Sequence, residues 1–314
     1  MQLSVIICTH NPRKDYLERT LNALRSQALT KENWELLLID NASKEPLANS
    51  WDLSWHPNAR HVHEEKVGLT HARLRGIKES QGRLLVFVDD DNVLMPDYLE
   101  GILGIHAQMP FMEVIGSGNI IGEFETPPQE WMKPHLHKLA LRELERDLWS
   151  NDPERLGFYP CGAGLCVTKK VAQAYAEMLD RDPRRKQLGR SGSSLVSGED
   201  CDICFMVGSQ GLGVGMFKSL SLKHLIPSDR LKESYLLRLA EGMSYSGYVL
   251  AYLWQKPGLP PLHSLRWRFG YWRRLPKMQP IQRRFAAAQF RAEERAWEAI
   301  RSMESSVNAS HRTK

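Results

Sequence analysis

Apolar residues enter this chain as short unbroken runs, each stopped by polar ones. LSVIIC at 3–8 ends in THNP, WELLLID at 34–40 ends on Asp40, and LLVFV at 84–88 runs into Asp89, Asp90 and Asp91. Runs without alternation predict parallel strands covered on both faces by helices. Asn11 and Pro12 signal a turn after the first run, and from Asp15 the apolar positions Leu17, Leu21 and Leu24 fall at helical spacing, predicting an amphipathic helix up to about Gln27. A further strand is expected near Arg60 to His63. GLTHARLRGIKESQG reads as a helix from Thr70, with Gly82 as its end signal. The β-α-β repetition over the first ~115 residues predicts a doubly wound α/β sheet, Rossmann-like and mostly parallel.

The later pattern is less regular. VIGSGNIIGEF at 114–124 suggests a strand pair, and FYPCGAGLCVTKKVAQAYAEML suggests a loop, a strand and a helix from Lys170. SGEDCDICFMVGSQG reads as a loop entering a helix that ends at Gly211. Beyond LKHLIP the periodicity is mostly helical, broken by the Pro-rich KPGLPPLH at 256–263. Ligands of open α/β sheets gather at the carboxyl ends of the strands, so Asp40 and the Asp89–Asp91 cluster are expected at one edge of one sheet, facing one pocket.

Composition leaves this picture intact. A chain of 314 residues with 42% apolar and 25% charged residues belongs with ordinary globular proteins, not disordered or fibrous ones. No run of eighteen apolar residues occurs, and MQLSVIICTHNP has neither a basic start nor a small-residue cleavage site, so a cytoplasmic location is the expectation. The five cysteines include two close pairs, Cys161 with Cys166 and Cys201 with Cys204. Their irregular spacing and apolar neighbours favour buried thiols over a zinc site. The net charge of +5 is concentrated late: residues 266–301 hold ten Lys or Arg against three Glu.

Three adjacent acids repel one another and are costly to dehydrate, so they call for solvent, hydrogen-bond donors or a cation. Mg²⁺ or Mn²⁺ would satisfy all three needs, bound by one or two carboxylates with substrate phosphates and water. The plainer alternative is a solvated loop in which Asp91 and Asn92 cap the helix after Pro96.

Four segments in order, SVIICTHNP, LLLIDNAS, GLTHARLRGIKESQGRLLVFVDDDNVLMPDYL and GEDCDIC, resemble the family-2 glycosyltransferases of GT-A fold over roughly residues 3–225. The resemblance implies a catalytic domain at 1–225, with a nucleotide-binding half at 1–115 and an acceptor half at 116–225. A basic helical extension follows at 226–314. It implies an inverting, metal-dependent transfer from a nucleotide-sugar, UDP-linked by expectation, to a hydroxyl acceptor in polysaccharide or glycolipid synthesis.

Carried over residue by residue, Thr9 and Asp40 would hold base and ribose. The D-x-D motif falls on Asp89 and Asp91 with Asp90 between: Asp91 would bind the metal, and Asp89 and Asp90 would reach the ribose or the metal's surroundings. Arg73 would pair with phosphate through its planar fork. Many relatives carry Asn after that Arg, where this chain has Leu74. Gly162 and Gly164 in CGAGLC would let the donor sugar approach closely. Glu199 and Asp200 would supply the general base, Asp200 being the first choice, with helix N-capping as the structural alternative. His224 is a candidate further metal ligand, against packing or hydrogen bonding. The pairs His61 with His63 and His135 with His137 read as surface residues.

The segment LRWRFGYWRRLPKMQPIQRRF interleaves Trp267, Phe269, Tyr271 and Trp272 with Arg266, Arg268, Arg273 and Arg274. Such mixtures suit a membrane interface, and a lipid-linked or saccharide acceptor makes peripheral contact through 264–301, on the inner face, the favoured partner reading; no nucleic acid is expected. A helix packed back on the catalytic domain is the alternative. Among whole-protein readings, a nucleotidyltransferase would usually place a Gly-rich basic loop after the first strand, where this chain has THNPRKDY. A non-catalytic nucleotide-sugar binding protein of the same fold is the other alternative.

Overall fold

The computed structural model describes residues 1–152, 159–190, 192, 194–255 and 265–312. Its elements in chain order are β1 (Leu3–Thr9), α1 (Lys14–Arg25), β2 (Trp34–Asn41), β3 (Ala59–Glu64), α2 (Leu69–Glu79), β4 (Leu84–Val88), β5 (Asn92–Leu94), α3 (Tyr98–Gln108) and β6 (Met112–Phe124). Then come β7 (Arg142–Glu143), β8 (Leu148–Ser150), β9 (Leu165–Thr168), α4 (Lys169–Arg181), α5 (Glu199–Ser209), β10 (Gly213–Ile226), α6 (Glu233–Leu253), α7 (Leu265–Arg274) and α8 (Pro280–Arg312). They divide into two compact units. The first is Met1–Asp182 with Glu199–Leu231, and the second is Pro183–Gly198 with Lys232–Lys314.

Among the described residues the strands of the first unit form one ten-stranded sheet, ordered β3-β2-β1-β4-β9-β6-β10-β5, with β7 on β6 and β8 on β10. β1, β2, β3 and β4 are mutually parallel, β9 is inserted antiparallel between β4 and β6, and β6 and β10 are again parallel. Every residue of β2 and β4 is buried, as is nearly all of β1, which is why their sequences run apolar without alternation. α1 lays Leu17, Leu21 and Leu24 into the same core as Val5, Ile7 and Leu36.

The order reverses at β1: the chain builds outward through β2 and β3, then returns to place β4 on the other side of β1. Such a switch point leaves a crevice at the carboxyl ends of the two central strands. Here those ends are Thr9 and the Asp89–Asp91 turn. Thr9 also lies opposite Asp40 in the β1–β2 register, which puts Asp40 at the same edge.

Two readings of the sequence are corrected. Residues 114–124 lie in one continuous strand, β6, paired along most of its length with β10, and not in a strand pair; its glycines are sites of close packing, as where Pro160 lies against Gly116. The helix after Pro96 begins at Tyr98 behind Asp97, and Asn92 opens β5, so Asp91 and Asn92 do not cap it. His224 lies inside β10. The Pro-rich break expected at 256–263 falls outside the described residues.

In the second unit α6 and α8 pack along each other. α8 buries Ala288, Ala292, Ala296, Ile300 and Met303. That spacing of three or four is one stripe of a helix. Arg291 and Arg295 reach Glu241 of α6 at 3.1 and 2.7 Å. On α7, Phe269 and Trp272 are 68% and 67% exposed. Among the described residues no helix is long and apolar enough to cross a membrane.

Candidate active site

The turn after β4 carries the acids outward from a fully buried strand. Its shape is held by Asn92, whose backbone N–H donates to the Asp89 carbonyl at 3.0 Å and whose side-chain amide donates to Asp91 Oδ1 at 3.0 Å. Thr9 donates its hydroxyl to Asp90 Oδ2, and Thr20 donates to the Asp90 carbonyl at 3.1 Å. Burial pushes the Asp90 carboxyl up to about 7, with the negative charge of Asp91 acting in the same direction.

Asp91 is buried and meets a basic pair from the end of the first unit. Antiparallel pairing of β5 with β10 sets Asn92 opposite His224, and the Leu225 N–H donates to the Asp91 carbonyl at 2.9 Å. His224 Nε2 consequently stands 3.5 Å from Asp91 Oδ2, and Arg230 Nη1 stands 2.8 Å from that same oxygen. Arg230 went unnoticed in the sequence; its only signal is its place six residues beyond His224.

A second cluster forms where α2 meets the start of α5. Arg73 donates to Asp200 Oδ1 at 2.8 Å and to Glu199 Oε2 at 3.1 Å, while Thr70 donates to Glu199 Oε1. Gly162 N–H donates to Asp200 Oδ2 at 2.7 Å. A Cβ on Gly162 would collide with the Arg73 guanidinium and sit 3.3 Å from both Asp200 oxygens, so this position has room only for hydrogen. Burial opposes the charge on Arg73, but Asp200, Glu199 and Asp89 outweigh it and raise its pKa. Burial raises Glu199, against the pull of Arg73 and Thr70. The influence of Asp89 on both Arg73 and Asp90 links the two clusters into one electrostatic neighbourhood.

The remaining expected residues sit differently. Both Asp40 oxygens accept backbone N–H groups, from Ser43 and Leu47, each at 3.0 Å, and His63 lies 3.9 Å away. Burial would raise Asp40, but the Ser43 and Leu47 hydrogen bonds outweigh it and hold its pKa low. Gly164 has φ +71°, and its carbonyl accepts from the buried Tyr98 hydroxyl at 2.7 Å, so its tight approach is to the core. Asp202, also missed in the sequence, is fully buried and accepts from the Tyr175 hydroxyl at 3.2 Å. The five cysteines are free thiols, and burial pushes Cys8 and Cys201 up to about 12.

The family model for glycosyl transferase family 2 matches residues 4–161, half of the chain and the whole of the β1–β4 framework just described. The chain belongs to glycosyl transferase family 2. Curated relatives of this family-2 chain include an uncharacterized glycosyltransferase of Haemophilus influenzae, 32% identical over 113 residues. That match covers 36% of this chain and 37% of the relative. Another is the glucosyl-dolichyl phosphate glucuronosyltransferase of Haloferax volcanii, 21% identical over 258 residues, 81% of this chain and 79% of the relative. Among solved structures, the mannosyltransferase PcManGT of Pyrobaculum calidifontis, in complex with GDP-Man and Mn²⁺, superimposes with a TM-score of 0.56 at 15% identity, covering 99% of this chain and 79% of that one. S. aureus TarS 1–349 with UDP-GlcNAc gives 0.51 at 14% identity, covering 84% and 69%. The GT-A architecture, with helices at the C-terminus, is thus shared. Membership in this family favours sugar transfer over the nucleotidyltransferase alternative.

Whether a divalent ion suits these residues can be judged from the donor atoms. Among the described residues no group of three His, Cys, Asp or Glu is placed to hold a metal alone. Yet His224 Nδ1–H is committed to the Leu139 carbonyl at 2.9 Å, which leaves Nε2 as a lone pair beside Asp91. One imidazole and one carboxylate fit a site completed by substrate phosphates and water. The residues present fit the ion.

Proposed function

We propose that this family-2 chain is an inverting, metal-dependent glycosyltransferase that moves a sugar from a nucleotide-sugar to a hydroxyl acceptor. Its main support is the convergence of the Asp89–Asp91 turn, Arg73, Gly162 and Asp200 from four separate segments at the sheet's switch point. The nucleotide-sugars in the PcManGT and TarS complexes agree with such a donor, without choosing between uridine and guanosine.

Asp91 and His224 would hold Mn²⁺ or Mg²⁺, which supplies positive charge against the diphosphate leaving group. Thr9, Asp40, Asp89 and Asp90 would form the nucleoside side of the pocket, and Gly162 the loop beside the sugar. Asp200 takes the acceptor's proton as its oxygen attacks the anomeric carbon opposite the diphosphate. Exposure separates it from Glu199: the Asp200 side chain is 16% accessible and the Glu199 side chain 6%, with Glu199 tied to both Thr70 and Arg73. Arg73, paired with both carboxylates, is a positioning residue that aims Asp200.

The acceptor is a saccharide or a lipid-linked saccharide. Phe269 and Trp272 on α7, with Arg273 and Arg274 beside them, suit peripheral contact with an anionic bilayer. A panel of UDP- and GDP-sugars with and without Mn²⁺, followed by release of free nucleoside diphosphate, tests the proposal. Turnover of one donor that vanishes on chelation supports it. No release from any donor under either condition, with donor binding intact, would leave a binding protein of the same fold.

A further inference from the structure

We propose that Arg230 is a built-in counter-cation that competes with a divalent ion for Asp91 and His224. This rests on the assignment of those two residues as the metal's ligands. One nitrogen of Arg230, Nη1, touches both candidate ligand atoms, lying 2.8 Å from Asp91 Oδ2 and 3.0 Å from His224 Nε2. The two ligand atoms are only 3.5 Å apart. A divalent ion held by both would need about 2.0–2.2 Å to the oxygen and to the nitrogen, which would leave no space for a guanidinium nitrogen in the same gap. Charge forbids sharing as firmly as volume does, because a monocation and a dication within ~4 Å repel strongly at a partly buried site. Occupation is therefore exclusive.

The geometry also allows exchange. The backbone around Arg230 is anchored: Arg230 N–H donates to the Pro227 carbonyl at 2.9 Å, Ser228 N–H to Glu125 Oε2 at 2.8 Å, and Leu231 is buried. The side chain itself is 26% exposed, against 7% for Asp91 and 9% for His224. The ligands are thus fixed while the guanidinium has a route to solvent through rotation of its own side chain. Arg230 neutralises the buried Asp91 and donates to the His224 lone pair. The cost is that every ion must displace a charge-assisted hydrogen bond before it binds.

The test is titration of the full chain with Mn²⁺ alone, followed by electron paramagnetic resonance of free Mn²⁺, with melting temperatures taken on the same samples. Loss of the competing guanidinium should tighten Mn²⁺ binding by about tenfold or more in Arg230→Gln, the equivalent of one charge-assisted bond. The ion-free variant should melt below the parent, and the difference should shrink as Mn²⁺ is added. Arg230→Met, which keeps the unbranched stem and removes the charge, should bind Mn²⁺ more tightly than the parent and guards against a Gln variant that does not fold. Equal or weaker Mn²⁺ binding in the folded variants, while Asp91→Asn abolishes it, would overturn the proposal and leave the metal assignment standing. Binding that survives Asp91→Asn, or that is absent from the parent and every variant, would overturn both.

Discussion

Replacing Asp200 by Asn removes one charge from the candidate site while keeping its shape. Gly162 N–H retains an acceptor in the amide oxygen, and Arg73 keeps Glu199 at 3.1 Å after losing its charged partner at 2.8 Å. Losing one charged hydrogen-bond partner at a part-buried guanidinium costs about 1–3 kcal/mol. That is a fraction of the ~5–15 kcal/mol that holds a typical domain together, so the variant should fold. What it cannot do is accept a proton from the acceptor hydroxyl. General-base assistance contributes ~10²–10⁴ in rate, about 3–5 kcal/mol of barrier, and kcat should fall by that factor. The assay is release of nucleoside diphosphate at saturating donor and acceptor, with donor affinity by calorimetry and fold by circular dichroism as controls. Glu199→Gln supplies the contrast: its carboxyl is buried on Thr70 and Arg73, so stability should suffer more than turnover. Asp200→Asn with kcat within about threefold of the parent and unchanged donor affinity would refute the assignment of the base.

Other outcomes follow from other parts of the molecule. His56 lies between Trp34 and Trp55, its Nδ1 accepts from Asn58 N–H at 3.2 Å, and burial, with Lys31 nearby, holds its pKa down at about 4. Because the unfolded chain takes up this proton near pH 6.5 and the folded chain does not, stability should fall as pH drops from 6.5 toward 4, by up to ~1.4 kcal/mol per pH unit. Urea unfolding of His56→Gln should show a shallower loss over that window, and an identical slope would contradict the cause given. Gly162→Ala pushes a methyl into the Arg73 guanidinium and should lower kcat at least tenfold, an estimate on the order of the positioning losses seen for ångström-scale misplacement; unchanged kinetics would show that the Arg73–Asp200 geometry is not needed. Ala292→Leu overfills the stripe that α8 buries and should destabilise by about 1–3 kcal/mol in chemical denaturation. A variant as stable as the parent would mean that this face has room to spare.

Much of the architecture was legible in the sequence because burial leaves a local signature. β1, β2 and β4 are covered on both faces, so their apolar runs are unbroken, and α1 shows its buried face as Leu17, Leu21 and Leu24. Local pattern does not show that β6 is one strand, because nothing nearby in the chain accounts for its glycines. Their real cause is the close approach of residues distant in the chain, such as Pro160 at Gly116.

The acids of the candidate site announced themselves for a similar reason, since three consecutive carboxylates after a buried strand have no cheap explanation in a core. Their partners gave no such sign. Arg73 and Asp200 are 127 residues apart, and Arg230 reaches Asp91 only because β10 pairs with β5 in the register that sets His224 opposite Asn92. Periodicity reports which side of an element is dry, and composition reports which groups need a counter-charge. Which guanidinium answers which carboxylate is set by strand order and register, through contacts between segments whose separation along the chain erases any local trace.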